Sequence, residues 1–154
     1  MPLVDSHALL EQLRRLPTLS FRPGDVLLRA GERSGKLLVL REGRIEVSSE
    51  GMVLGVVDTP GAMLGEVAAL LEGAHTADLR AVTPTVCHVI DAARVLREDP
   101  ALTLHVAVLL AQRLGQLTQQ IVALRNDAGG AAAPKALDRS IDQLAKAVLF
   151  GSFA

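Results

Sequence analysis

Residues 59–81 read TPGAMLGEVAALLEGAHTADLRA, and the fold turns on this stretch. Gly65 allows a tight backbone turn. Behind it, Glu66-Val67-Ala68-Ala69-Leu70-Leu71 has the composition of one or two helical turns. The first N–H groups of a helix lack intrahelical partners and carry a partial positive charge, which suits a phosphate. Glu66 in that first turn would repel an anion unless its carboxylate points elsewhere, for instance to a sugar hydroxyl. Taken alone, a Gly-Glu pair is common, so the neighbouring sequence has to decide.

On both sides of this stretch, from Leu19 to Ile90, short β-branched or Leu-rich runs are cut by Pro23-Gly24, Gly31, Gly35, Gly43, Gly51, Gly55, Pro60-Gly61, Gly65 and Gly73. The spacing predicts strands over Val26–Arg29, Lys36–Arg41, Arg44–Ser48, Met52–Val57, Ala77–Val82 and Thr85–Ile90. Many short strands with frequent turn signals indicate a sandwich or barrel. Gly43, in Glu42-Gly43-Arg44, reads as a hairpin turn between two of them.

Helical periodicity flanks this region. Asp5 or Ser6 can cap a first helix that places Leu9, Leu10, Leu13 and Leu16 on one face and ends at Pro17, covering one end of the core. After Ile90, Asp91 caps a short helix to about Arg97, and Asp99-Pro100 opens a longer one to about Asn126. Along it Leu110, Leu114, Leu117, Ile121 and Leu124 recur at spacings of 4, 3, 4 and 3, a heptad seam flanked by Gln112, Arg113, Gln116, Gln119 and Gln120. A seam this narrow packs on its own barrel or pairs with a second copy, and periodicity alone leaves the two even. Residues 128–135 (AGGAAAPK) have linker composition. Residues 136–154 open with an amphipathic helix carrying Leu137, Ile141, Leu144 and Val148 on one face, to dock on its own domain or to meet a protein partner.

Together these features resemble the cyclic-nucleotide-binding domain family, found in the bacterial catabolite activator protein, kinase regulatory subunits and nucleotide-gated channels. The resemblance covers roughly Leu9 to Asp127. It rests on Phe21-Arg22-Pro23-Gly24-Asp25-Val26, Gly31, the run from Leu38 to Gly43 followed by Arg44-Ile45-Glu46-Val47, and above all residues 60–71. It implies a mainly β fold with flanking helices: a jelly-roll (double-stranded β-helix) barrel with an N-terminal helix, a phosphate-cassette helix and a long C-terminal helix. The sensor domain with its dimerisation helix would span residues 1–127.

The resemblance also implies a site. Gly65 and Glu66 form the turn of the phosphate cassette, Glu66 accepts from the ribose 2′-hydroxyl, and the amides of Val67 and Ala68 face the cyclic phosphate. Most members then carry an Arg that pairs with the phosphate; here His75 stands in that place, followed by Thr76 and Ala77. Arg is permanently charged and offers a planar fork of donors, whereas neutral His offers one. Arg80 lies an odd number of strand positions away, on the opposite face. His75 is therefore a weaker, pH-dependent phosphate ligand favouring pH 6 over pH 8, a contact for a different small ligand, or the mark of a pocket that binds nothing. Thr118 falls near the position from which the long helix supplies a hydroxyl to the base, and it is equally a solvated helix residue. By the same resemblance the Leu110–Leu124 seam becomes a homodimer interface.

Composition bounds the alternatives. A chain of 154 residues fits one domain and buries about two-thirds of its unfolded surface. Aliphatic residues must build the core, because aromatics are only 2% of the chain, without Trp or Tyr. The net charge is -1 with the charges interspersed, so a clustered basic surface for nucleic acid is missing. Only 27 residues follow Asp127, too few for the winged helix-turn-helix of the family's transcription factors, and the expectation is no DNA binding by this chain. The N-terminus lacks a basic start and apolar stretch, and the longest apolar run, Val106 to Ala111, is far short of the ~20 residues that span a bilayer, so the expectation is a cytoplasmic protein with no membrane contact. Cys87 is the only cysteine, read as a small core residue of a strand. His7, His75, His88 and His105 contain no His-x-His pair, which leaves no expected metal, cofactor or enzymatic site; the expected ligand is a cyclic nucleotide. A ligand-free scaffold for dimerisation and partner binding is the rival reading.

Overall fold

The computed structural model describes residues 11–128. The chain divides into two compact units, residues 1–106 and 107–154. The beginning of the predicted first helix and the predicted linker and helix beyond Ala128 lie outside the described residues. What is described of that first helix is a turn over residues 11–14, where Leu13 is buried.

The first unit is built on eight strands: β1 (Thr18–Phe21), β2 (Val26–Leu28), β3 (Lys36–Glu42), β4 (Ile45–Ser49), β5 (Met52–Val57), β6 (Met63–Leu64), β7 (Asp78–Ala81) and β8 (Thr85–Asp91). They form two four-stranded antiparallel sheets, ordered β1-β8-β3-β6 and β2-β7-β4-β5. Apart from the β4–β5 pair, successive strands alternate between the two sheets, the jelly-roll order, as expected. In β4, Ile45 and Val47 are fully buried while Glu46 and Ser48 are not, the period of a strand with one covered face. In β3, Leu37, Leu38, Val39 and Leu40 are all at most 2% exposed. That strand sits inside its sheet with a helix packed on it, so both of its faces are covered.

Two expectations are corrected. Gly43 does not close a hairpin, because β3 and β4 belong to different sheets. Its left-handed backbone (φ 106°) turns the chain from one sheet to the other against the β7–β8 corner. A Cβ there would stand 2.5 Å from Thr85 Oγ1 and 2.6 Å from the Pro84 carbonyl oxygen. The true hairpin joins β4 to β5 through Glu50 and Gly51, both left-handed (φ 52° and 79°), the conformation a two-residue loop requires. The periodicity also passes over β1 and β6. β1 is an edge strand whose residues are largely exposed, and β6 has only two residues; neither length nor alternation marks them.

Three helices complete the described chain: α1 (Glu66–Leu70), α2 (Ala92–Glu98) and α3 (Pro100–Ala128). The predicted caps are in place. The Asp91 carboxylate accepts from Arg94 N at 3.2 Å, and Asp99 Oδ1 accepts from Ala101 N and Leu102 N, each at 3.0 Å. Caps of this kind contribute about 1 kcal/mol each. Leu102 and Val106, each 2% exposed, bury the start of α3 in the first unit. In the second unit α3 continues with Leu114 at 64% exposure and Leu110 and Leu117 half-buried, while the side chains of Ile121 and Leu124 lie outside the described residues. Cys87 is fully buried in β8, and burial pushes its thiol up to about 11, as befits a core residue. Among the described residues no helix is long and apolar enough to cross a membrane.

Candidate functional site

Where β6 ends, Gly65 takes φ 85° and ψ 3°, and α1 starts at the next residue. Glycine is required there twice over. The left-handed backbone disfavours any side chain, and a Cβ would meet the Lys36 carbonyl oxygen at 2.9 Å and Leu28 Cδ1 at 3.1 Å. The helix behind it is tight: Ala69 N donates to Gly65 O at 3.0 Å, Leu71 N to Val67 O at 3.0 Å and Gly73 N to Ala68 O at 2.8 Å. The N–H groups of Val67 and Ala68 belong to its first turn, before any residue four positions back is helical. Glu66 heads the helix and is only 3% exposed, an unusual depth for a carboxylate.

His75 is brought to this turn from the other side. Its backbone is held at both ends by the β2–β3 loop, with His75 N donating to Glu32 O at 2.9 Å and its carbonyl accepting from Gly31 N at 2.8 Å. The ring is 6% exposed and lies against Gly65, with Cε1 3.4 Å from where a Cβ on that glycine would stand. The same loop carries Ser34, whose Oγ is 2.6 Å from His75 Nε2 and also accepts from Lys36 N at 3.2 Å. Burial holds the His75 imidazole below the usual histidine range of ~6.5, while the Glu32 carboxylate pulls in the opposite direction. The charged form expected near pH 6 is thus displaced to lower pH.

Three arginines of the first unit have partners of their own. Arg33 Nη1 donates to the Glu72 carbonyl at 3.3 Å, beyond the end of α1, and Arg97 approaches the Glu72 carboxylate at 3.9 Å. Arg80 is exposed and donates to Gly24 O at 2.7 Å, on the outer surface of β7. The Asp78 carboxylate accepts from Ala30 N at 2.8 Å, which ties β7 to the end of β2. Chemically the site offers first-turn amides, a buried carboxylate and an imidazole joined to a hydroxyl. Ser34 and His75 have the spacing of a nucleophile and its base. A catalytic triad would add a carboxylate that orients the imidazole; the bond seen on the ring is the one between Nε2 and Ser34 Oγ.

Of the residues anticipated from sequence, Gly65, Glu66, Val67 and Ala68 form the turn and His75 is packed onto it. Thr76 is exposed, its carbonyl accepting from Ser49 Oγ at 3.1 Å, and Ala77 is buried. Thr118 lies in the second unit, exposed, with its hydroxyl donating to Leu114 O at 2.9 Å. Sequence reasoning missed Ser34. It sits in a polar Gly-Glu-Arg-Ser-Gly turn, 41 positions from its partner, and no local pattern links the two.

Comparison with known proteins supplies the remaining context. The family model described as the cyclic nucleotide-binding domain matches residues 18–98. Over 70 residues, 46% of this chain, the sequence is 36% identical to the cGMP-dependent protein kinase egl-4 of Caenorhabditis elegans, and the match spans 9% of that kinase. The crystal structure of the Thermus thermophilus catabolite activator protein superposes with a TM-score of 0.64 at 21% identity, covering 80% of this chain and 61% of that one. The regulatory subunit of a cAMP-independent protein kinase A from Trypanosoma brucei superposes with a TM-score of 0.53 at 25% identity, covering 60% and 34% respectively.

Proposed function

This chain belongs to the cyclic nucleotide-binding domain family, and from that premise we propose that it is a regulatory sensor, not an enzyme, whose barrel holds cAMP or cGMP and whose α3 helix relays occupancy. The observation that carries the reading is the turn at Gly65. Its left-handed glycine, the buried Glu66 behind it and the His75 ring against it are gathered at one place. In this reading the amides of Val67 and Ala68 and the ring of His75 take the cyclic phosphate, and Glu66 takes the ribose 2′-hydroxyl. Thr76 and Ala77 border the phosphate. The sensor is a cytoplasmic homodimer through Leu110, Leu114, Leu117, Ile121 and Leu124, free to engage a protein partner, with no DNA or membrane contact of its own.

Two observations favour a second reading, a ligand-free dimerisation scaffold. No permanently charged side chain replaces the family's Arg at His75, and one structural relative is described as cAMP-independent. Thermal denaturation with cAMP or cGMP separates the two. A ligand that binds only the folded state adds about 2.7 kcal/mol at a hundred times its Kd. Calorimetry of Glu66→Ala should then show binding weakened by about 1.5–3 kcal/mol, the range for a hydrogen bond to a charged group. No stabilisation at millimolar nucleotide supports the scaffold.

A further inference from the structure

We propose that Ser34 sets the tautomer of His75: its hydroxyl donates to Nε2, so the imidazole is held uncharged with its proton on Nδ1, a neutral N–H donor for the ligand's phosphate. The role of that donor in binding rests on the cyclic-nucleotide reading above. The tautomer itself does not.

Several features of the pair point the same way. The Oγ to Nε2 separation of 2.6 Å lies within the range of hydroxyl donors and below the 2.7–3.2 Å typical of N–H donors. Ser34 Oγ accepts from Lys36 N through one lone pair, and Nε2 gives its own proton an acceptor. A neutral imidazole that accepts at one nitrogen carries its proton on the other. In this tautomer Nδ1 is the N–H that a ligand's phosphate would meet. The ring cannot easily turn over to exchange the nitrogens, because its backbone is held at both ends and its Cε1 edge is packed against Gly65.

The charged groups around the ring are acidic and favour its protonated form, so burial is the effect that works for a neutral one. Glu32 comes from the β2–β3 loop, Glu66 from α1 and Asp78 from β7, where its carboxylate is spent on Ala30 N. Lys36 contributes its backbone, and Arg33 is turned to Glu72. Burial lowers the affinity of His75 for a second proton. Ser34 is therefore a positioning residue. It acts on the ligand through the imidazole.

The test is spectroscopic first. Long-range proton–nitrogen correlation spectra of the uniformly 15N-labelled full chain at pH 7.5 should show His75 protonated on Nδ1 and bare on Nε2. Ser34→Ala should move the proton to Nε2, the nitrogen preferred by an unconstrained histidine, and Ser34→Thr should restore the original pattern. Calorimetry with cAMP and with cGMP should show affinity flat between pH 7 and pH 8. It should fall about tenfold in Ser34→Ala, the scale of one mediated hydrogen bond. In a His75→Arg background the same Ser34 substitution should change affinity less than about twofold, because the two sites are no longer coupled. A wild-type His75 protonated on Nε2, or on both nitrogens, overturns the proposal whether or not a nucleotide binds. An Nδ1–H tautomer with neither nucleotide bound leaves Ser34's role in place and removes the cyclic-nucleotide reading instead.

Discussion

The ring of His75 lies edge-on against Gly65, its Cε1 3.4 Å from where a β-carbon on that glycine would stand, although ten positions separate them in sequence. In the function proposed above, the contact places the residue that departs from the family's pattern on the turn that would bind phosphate. It also makes the departure testable, because the substituted group stands at the proposed site.

If the pocket is otherwise intact, His75→Arg puts a permanent charge and a forked donor beside the phosphate. Cyclic-nucleotide affinity should rise by about tenfold or more, in line with 1.5–3 kcal/mol for a charged hydrogen bond. The variant should also show no pH dependence between pH 5.5 and 8, whereas the wild type should gain affinity only below the ordinary histidine range, since burial lowers the His75 pKa. Calorimetric titration at several pH values measures both. A folded variant that still binds nothing would mean the pocket has diverged beyond one residue.

The glycines make different demands on the fold. Gly31 and Gly43 are both left-handed, but a Cβ on Gly31 meets nothing within 4 Å and a Cβ on Gly43 would overlap Thr85 and the Pro84 carbonyl. Gly31→Ala should therefore cost only the left-handed backbone penalty of about 1–2 kcal/mol. Gly43→Ala must in addition move the β7–β8 corner and should cost clearly more. Urea unfolding of the two variants gives the comparison; equal losses would show that the corner yields freely.

His105 offers a gain. Its Nδ1 is buried with no hydrogen-bond partner, a situation that costs about 1–3 kcal/mol, and burial holds its pKa low. His105→Leu should raise stability at pH 7.5 by about 1 kcal/mol. The wild type should lose stability as pH falls. His75 and His105 both have lowered folded-state pKa values, so the unfolded chain takes up protons first. Their contribution is full above the unfolded value of ~6.5 and is lost on descending through it, by at most ~1.4 kcal/mol per pH unit for each group. His105→Leu should make the acid side of the stability profile shallower. Denaturant melts at pH 5.5 and 7.5 decide, and an unchanged slope would count against it.

Assembly rests on the seam of α3. Leu114 is 64% exposed, a large apolar surface for a residue of a heptad position. The protein should be a dimer at tens of micromolar, and Leu117→Glu should make it monomeric by placing a charge in the middle of the seam. Light scattering of the two proteins is sufficient. A monomeric wild type removes the dimer reading.

What was readable from sequence was whatever a few neighbouring residues encode. The left-handed turn and short helix at Gly65-Glu66, the caps at Asp91 and Asp99, and most strand positions all follow from rules that act over one to four residues. The family resemblance works at the same range, since it is an ordered series of such local features. Tertiary packing decided the rest. Whether Gly43 folds β3 back onto β4 or sends it to the other sheet depends on Thr85, 42 positions away. The four consecutive buried residues of β3 needed a second sheet and a helix to cover both faces. Ser34 meets His75 only because the backbone of residues 31–32 pairs with that of His75, a pairing between segments that carry no shared pattern. A short-range signal states which way the chain bends; which distant side chain fills the space it bends into is settled by close packing of the whole barrel.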